Sequence, residues 1–377
     1  MKKKSNKIII LALTLLLVLV FSKAQRTNAY FNDTESSLGN IFNAGFLDFI
    51  LTDNSLDKII GPEALGEVSH ASVVMPAEGS LPMQYILSNS VLNEDVGLCS
   101  KLIVEAKLNG ISKYLGPLSG LAYNQTTEFG AWEFRFDLPP NVSAPHGARC
   151  NSQTIFSAWG ADIANFADSG WHDEEVLDIN FTARMVVLNE IFARPANGAA
   201  APKNREYVEL YNNGSAPVDV LDWKISEIAG NTETFYTVVA SGANGSQMQP
   251  FSGGAIISPG GFLVLVFNSE SAEHFNNNGD NIKLYDNTAD LLDSHTYRGV
   301  TTGKAIVRFP DGIGFWVDPE PTPGATNTVS LADLRAALFT DEMIQEVLEL
   351  AVLKNATWLS DDESEIGSGQ DIVAGVE

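Results

Sequence analysis

Short apolar alternations, separated by turn residues, fill the chain from about residue 31 to residue 182. Two stretches place an apolar residue at every second position. Their members are Leu102, Val104, Ala106 and Leu108, followed by Trp132, Phe134, Phe136 and Leu138. A period of two is typical of a strand with one buried face, and Gly, Pro, Asn and Ser clusters supply the turns. The pattern predicts a β-sandwich over residues 30–183.

A second patterned block, assigned to residues 184–327, predicts another sandwich. Val208 and Leu210 are predicted to face its core while Glu209 faces outward. The same reasoning places Leu221, Trp223 and Ile225 inward. Residues 262–267 are apolar at every position, which predicts a central strand covered on both faces. Turn chemistry at residues 212–214, 277–279 and 310–312 fits short connections between strands.

The pattern changes after Asn327. Ser330 can cap a helix with Asp333 at its third position. Apolar residues then follow a helical stripe at positions 331, 334, 338, 344, 347, 348 and 352. The stripe over residues 328–360 is wide enough to dock either on a sandwich or on a partner. Residues 361–377 are acidic and rich in Gly and Ser, so we predict a disordered tail.

The first 29 residues have the pattern of a signal peptide. Basic residues at positions 2–7 precede an uncharged apolar run over positions 8–21, which is short for a membrane span. Small residues further on offer cleavage sites. We therefore predict export to the cell surface or the extracellular space, without a stable transmembrane span after cleavage. The alternative is an uncleaved N-terminal anchor helix.

The composition limits the kinds of molecule that the chain is expected to bind. The chain has 47 acidic against 23 Lys and Arg residues, a net charge of −24. Such a chain repels phosphate backbones, so we predict no nucleic-acid partner. Only two cysteines are present, Cys99 and Cys150. In an oxidising compartment they are predicted to form a disulfide, with two buried thiols as the alternative.

Residues 29–49 (AYFNDTESSLGNIFNAGFLDF) resemble the start of TasA- and camelysin-type secreted proteins, in which a similar phrase follows a SipW-type signal peptide. Residues 75–82 (MPAEGSLP) resemble a turn of the same family. The resemblance implies a jelly-roll-like sandwich and relatives that form extracellular fibres or matrix.

Eight further segments resemble a lamin-tail domain and occur in the order expected of it. Two of them are VLNEIFARP at residues 187–195 and REYVELYN at residues 205–212. The other six lie at residues 217–226, 257–265, 279–286, 292–297, 303–312 and 322–327. The resemblance implies a compact immunoglobulin-like sandwich. Glu190, Glu209 and Arg308 lie inside its segments, and we predict that Arg308 pairs with one of the two glutamates in a structural role.

Catalytic signatures are not apparent. The sequence has no H-E-x-x-H motif and no G-x-S-x-G elbow, and its five histidines are scattered. The densest cluster of metal-binding residue types, residues 172–175 (HDEE), is predicted to be a solvated turn before a strand over residues 176–181. We predict no catalytic, cofactor-binding or metal-ligating residues, and hence no enzyme.

Calcium is the ion that the acidic residues would suit best. The residues concerned are Asp280, Asp286, Asp290 and Asp293, which surround a predicted hairpin. They lack the spacing of an EF-hand loop, and acidic hairpin turns commonly serve only solubility. Calcium therefore stays a secondary hypothesis, and no cofactor is predicted.

The leading functional hypothesis is a secreted or cell-surface binding or structural protein. It would attach to a protein or cell-envelope component, or assemble with itself, through the edges of its sandwiches. One alternative is a secreted metal-dependent hydrolase of the camelysin kind. Another is a passive targeting or spacer module, since a sandwich fold alone decides no function.

Overall fold

The computed structural model describes residues 55–60, 69–75, 82–169, 172–196, 198–268, 273–337, 340–354, 356, 358–359 and 366–367. The predicted signal peptide, the motif at residues 29–49 and nearly all of the acidic tail lie outside the described residues. So does most of the motif at residues 75–82.

Nine strands form the first sandwich. They are β1 (Ser55–Ile60), β2 (Ser69–Met75), β3 (Met83–Glu94), β4 (Ile103–Leu108), β5 (Ile111–Pro117), β6 (Ala122–Thr126), β7 (Gly130–Asp137), β8 (Arg149–Gly160) and β9 (His172–Ala183). One sheet has the order β1-β9-β8-β3-β6, and the other has the order β2-β7-β4-β5. A short helix, α1 (Leu98–Lys101), follows β3, and 3₁₀ turns span Leu118–Gly120 and Phe166–Asp168.

The core of the first sandwich lies between these two sheets. All eight residues of the two predicted alternations are fully buried in it. Trp132 is one of them, and its indole Nε1 donates a hydrogen bond to Tyr85 Oη over 3.0 Å. The prediction of two one-sided strands is confirmed, because inward side chains on a pleated strand must alternate. The prediction of a solvated turn at residues 172–175 is wrong, since these residues begin β9 and pair with β8.

Twelve further strands build the second sandwich. They are β10 (Val186–Phe192), β11 (Tyr207–Asn212), β12 (Val218–Asp219), β13 (Lys224–Ala229), β14 (Thr232–Val238), β15 (Gln247–Pro250), β16 (Ile256–Ile257), β17 (Phe262–Val266), β18 (Asp280–Tyr285), β19 (Leu291–Tyr297), β20 (Ile306–Phe309) and β21 (Phe315–Val317). Ten of them form one sheet in the order β19-β18-β13-β14-β15-β17-β11-β10-β20-β21, and β12 pairs with β16. Both halves of the sheet contribute side chains to one core.

The middle strands of this sheet are covered on both faces. Leu263 and Leu265 of β17 enter the core of the sandwich, whereas Val264 and Val266 enter a second apolar cluster on the outer face. The prediction of a doubly covered strand at residues 262–267 is confirmed. The inward assignment of Leu221 is wrong, because Asp222 has a positive φ of 65° and this turn leaves Leu221 exposed.

A C-terminal cap covers the outer face of the sheet. It consists of α2 (Leu331–Ala336), α3 (Asp341–Leu353) and the short strands β22 (Val329–Ser330), β23 (Trp358–Leu359) and β24 (Ile366–Gly367). Val347 and Trp358 of the cap pack in one cluster with Phe309 of the sheet. The predicted capping box at Ser330 is present. The sequence left open whether the helical stripe packs on a sandwich or on a partner. In the structure it packs on the second sandwich of its own chain. The two residues of β24 are the described part of the predicted disordered tail, and they pair with β23.

A partly buried histidine lies where the two sandwiches meet. His146 Nδ1 accepts hydrogen bonds from the backbone N–H groups of Met185 and Val186, over 3.1 and 3.3 Å. Its ring packs on Trp223 with 5.2 Å between centroids. Burial lowers the pKa of His146, and the nearby Arg184 charge lowers it too, against the opposing charge of Asp286. The neutral ring therefore fits this joint, because Nδ1 must keep its lone pair to accept both bonds.

Among the described residues, we find no helix long and apolar enough to cross a membrane.

Candidate functional site

Three buried carboxyl groups meet under the cap, on the outer face of the second sandwich. Glu190 of β10 lies directly opposite Glu209 of β11, and Asp311 belongs to the turn after β20. Glu190 and Glu209 are fully buried, and Asp311 is 9% exposed. The prediction that Glu209 faces outward into solvent is wrong. The alternation was inferred correctly, but the cap and the segment before it cover that face.

A β-bulge brings Asn189 into the same cluster. The pairing of β10 with β11 shifts between Leu188 and Glu190, which leaves Asn189 without a partner residue. Its Nδ2 donates to Glu209 Oε1 over 3.0 Å and to Asp311 Oδ1 over 2.9 Å. Its Oδ1 accepts from the backbone N–H of Gly312 over 2.9 Å. One side chain thus links both carboxyl groups to the turn that carries Asp311.

Residues 322–327, which we call the strap, lie across these acids. The backbone N–H of Thr322 donates to Glu190 Oε2 over 3.1 Å, and that of Gly324 donates to Glu209 Oε2 over 2.5 Å. The backbone N–H of Asn327 donates to Asp311 Oδ1 over 3.2 Å. The strap leads directly into the cap. The three acids therefore fix the start of the segment that covers them.

Burial controls the protonation of the cluster. It raises the pKa of Glu190, raises that of Glu209 well above its ordinary value, and raises that of Asp311 to about 7. The charge of Glu190 raises the other two further, while hydrogen bonds from Asn189 act in the opposite direction. The donors named above are neutral, as is the Tyr207 hydroxyl, which donates to Glu190 Oε1. The carboxyl groups of the cluster can therefore carry protons. Their oxygens also hold the strap, because they accept hydrogen bonds from its backbone N–H groups.

We expect the contribution of Asp311 to the stability of the protein to fall as pH rises from about 4 to about 7. Because the folded-state pKa of Asp311 is about 7 against 3.8 ordinarily, the folded state holds more protons between these values. The favourable contribution is fully present below the unfolded pKa and is lost as pH rises through the folded pKa. Each such proton contributes a slope of about 1.4 kcal/mol per pH unit. Thermal unfolding from about pH 4 to about pH 8 measures it.

The variant Asp311→Asn should flatten this dependence, because an amide keeps an acceptor oxygen but does not titrate. Other buried groups titrate in this range with both signs, since burial raises the pKa of Glu206 to about 7 and lowers that of His295 to about 4. The difference between the wild-type and variant curves therefore measures the contribution of Asp311. Parallel curves for the two proteins would contradict the assignment.

The predicted partner of Arg308 is wrong. Its Nη2 lies 2.8 Å from Asp293 Oδ2 and 2.9 Å from Asp293 Oδ1, and neither Glu190 nor Glu209 is its carboxylate. The guanidinium also lies over the Trp316 ring at 4.8 Å. Because β19 is the first strand and β20 the last but one in the sheet order, this ion pair joins the two halves of the sandwich.

The four aspartates considered for calcium do not form one site. Asp280 accepts from the backbone N–H groups of Ile228 and Asn276, and Asp293 binds Arg308. Asp286 and Asp290 lie together in the turn between β18 and β19, where both bond to Thr288. In the described part of the chain, no three His, Cys, Asp or Glu residues group in a way that could hold a metal ion.

The described histidine rings lie in separate places. His274 stacks on Phe267 and His295 stacks on Trp316, with centroids 3.8 and 4.0 Å apart. His172 contacts Phe166 edge-on at the end of β9. The two cysteines do come together: Cys99 and Cys150 form a disulfide with a Cα–Cα distance of 5.1 Å.

Sequence comparison identifies the module to which the acid cluster largely belongs. Residues 180–299 match the family model of the Lamin Tail Domain. This range contains β10 to β19, and therefore Glu190 and Glu209 of the acid cluster. The lamin-tail resemblance is thus shown for that part of the chain. The match covers less than half of the chain, and the TasA and camelysin resemblance has no counterpart in it. No curated protein matches the chain.

Among solved structures, similar chains include the E. coli chaperone DraB, with 8% identity over 67% of this chain and 98% of DraB at a TM-score of 0.21. The Pseudomonas aeruginosa CupB2 chaperone has 8% identity over 66% and 100% of the two chains at a TM-score of 0.19. Zebrafish RET cadherin-like domains 1 to 4 have 8% identity over 67% and 50% at a TM-score of 0.20. TM-scores this low support no conclusion about this chain.

Sequence reasoning missed two members of the site. Asp311 lies in a Pro-Asp-Gly turn, where an aspartate is ordinary turn chemistry. Asn189 lies on a strand whose bulge the alternation does not reveal. The usable signal was the spacing of three acids in the lamin-tail segments, at positions 190, 209 and 311, combined with the apolar cap that follows them.

Proposed function

We propose that this chain is an exported protein of the cell surface or extracellular matrix that attaches or assembles through the borders of its β-sandwiches. Catalysis is not part of the proposal. The second sandwich, with its lamin-tail module, would be a further binding unit, in line with the binding or structural role that such sandwiches suit. The partner would be a protein or an envelope component, including a second copy of the chain.

Strand β5 is the observation that supports this proposal. It ends its sheet, and among the described strands it pairs only with β4. Ile111 and Leu115 on this strand are 60% and 71% exposed. A terminal strand offers unpaired N–H and C=O groups to an added strand, and exposed apolar side chains add contact area.

Charge on the strand does not oppose such pairing strongly. Lysines on edge strands normally discourage association. Lys113 of β5, however, lies 3.0 Å from Glu128 Oε2 in an ion pair. The interiors of both sandwiches are filled by buried apolar side chains, so the borders and loops are the surfaces left for binding.

Leu115→Glu should weaken self-association of the mature protein. A charge at this edge would face any added strand, and we expect the dissociation constant to rise about tenfold or more, equivalent to about 1.4 kcal/mol. Analytical ultracentrifugation over a micromolar concentration series measures it. The matched control is Val352→Glu, because Val352 is 40% exposed but lies on helix α3, which offers no strand edge.

Two results would count against the proposal. One is a wild-type protein that stays monomeric throughout the series and is not retained at the surface of cells. The other is casein or esterase turnover that a chelator abolishes, which would favour a metal-dependent hydrolase instead.

A further inference from the structure

The end of the cap brings an amine next to a carboxamide of the second sandwich. Lys354 Nζ lies 3.3 Å from Asn213 Oδ1, although the two residues are 141 positions apart. Lys354 directly follows α3, and Asn213 directly follows β11. The contact therefore joins the cap to the sheet that the cap covers.

The Asn213 carboxamide is held in one orientation. Its Nδ2 donates to the backbone carbonyl of Gly312 over 3.0 Å, and the residue is only 8% exposed. Gly312 has a φ of 77°, and a Cβ at this position would overlap both the carboxamide and the Tyr211 ring. Glycine at position 312 thus leaves space for the carboxamide, whose Oδ1 side faces Lys354.

The surroundings of Lys354 favour a reactive amine. Burial lowers the pKa of its ammonium group, against the charge of Asp311, which raises it. A neutral lysine is a nucleophile, whereas the ammonium form has no lone pair to donate. Burial raises the pKa of the Asp311 carboxyl to about 7, so this group is partly protonated at neutral pH. The protonated form carries no charge and does not raise the pKa of Lys354.

We propose that Lys354 and Asn213 become joined by an amide bond within the chain. The Nζ lone pair of the neutral amine attacks Asn213 Cγ, and a new Nζ–Cγ bond forms. The Cγ–Nδ2 bond breaks, and Nδ2 leaves as ammonia after taking a proton that the amine loses. No oxidant or reductant takes part, so the reaction needs only the folded chain.

Such a bond would fasten the cap covalently to the second sandwich. The first sandwich already has its own covalent link, Cys99–Cys150. The loop that carries Asn213 also contacts the first sandwich, since the Ser143 hydroxyl donates to the Asn213 carbonyl over 3.0 Å. The new bond would therefore tie the cap close to the joint between the sandwiches.

Mass spectrometry of the purified full chain tests the proposal. We expect an intact mass lower than the sequence mass by one molecule of ammonia, in addition to the two hydrogens lost in the disulfide. Proteolysis should yield a branched peptide in which Lys354 is linked to Asn213. The variant Lys354→Arg should show its full sequence mass without the loss of ammonia, and it should yield no branched peptide. The control Lys304→Arg should keep the bond, because Lys304 forms an ion pair with Glu320 over 2.8 Å elsewhere.

Loss of ammonia alone is insufficient, because Asn213 precedes Gly214 and can form a succinimide of the same mass. A succinimide would leave the Lys354 peptide unbranched and would persist in Lys354→Arg, and this outcome overturns the proposal. Recovery of both peptides unmodified from wild-type protein overturns it equally. Since the wild-type peptides decide the matter, the test holds even where a variant fails to fold.

Discussion

Replacing both bridged cysteines, Cys99→Ala with Cys150→Ala, is expected to lower the free energy of unfolding by about 4 kcal/mol in the chain-entropy model. The bridge joins residues separated by 51 positions, and this closed loop limits the conformations of the unfolded chain. The two sulfurs also lie in the fully buried core of the first sandwich. Urea denaturation followed by tryptophan fluorescence measures the change.

Reductant supplies the control for this result. It should lower the stability of the wild-type protein toward that of the double variant and leave the double variant unchanged. Equal stability of the oxidised wild-type protein and the double variant would show that the bridge contributes little.

Trp358→Ala should destabilise the docking of the cap by about 3–5 kcal/mol, the usual cost of removing a buried tryptophan side chain. Trp358 is 3% exposed and packs in the cluster between the cap and the sheet. Differential scanning calorimetry and limited proteolysis of the cap would record the effect. If the amide bond between Lys354 and Asn213 is present, the cap should stay attached while becoming more open to protease.

Leu353→Ala is the matched control, because Leu353 lies in the same cap but is 47% exposed. It should change the stability by less than about 0.5 kcal/mol. Similar losses in both variants would contradict the docking surface described for the cap.

Much of the fold could be predicted because its signals are local. The inward positions of β4 and β7 follow from a period of two, which neighbouring residues alone display. The double covering of β17 is visible as an uninterrupted apolar run, and the capping box of α2 needs only four consecutive residues. The lamin-tail segments added the identity of the second sandwich.

The site was harder to predict because it depends on distant segments. Glu209 occupies an outward position on its strand, and it is buried because the strap and the cap, more than 100 residues later in the chain, cover that face. The partner of Arg308 is decided by how the two halves of one bent sheet meet. The bulge at Asn189 and the contact of Lys354 with Asn213 likewise have no signature in nearby sequence.

The covering of β11 and β17 by the cap also determines the order of assembly. The polypeptide is synthesised from its N-terminus, whereas one covering layer of this sheet comes from α3, far downstream of β11 in the chain. Before α3 is present, Tyr207, Val264 and Phe309 are exposed to water as an apolar surface. The carboxyl groups of Glu190 and Glu209 lie on the same face. The first sandwich can fold early during synthesis, but the outer face of the second sandwich becomes buried only after α3 has been synthesised.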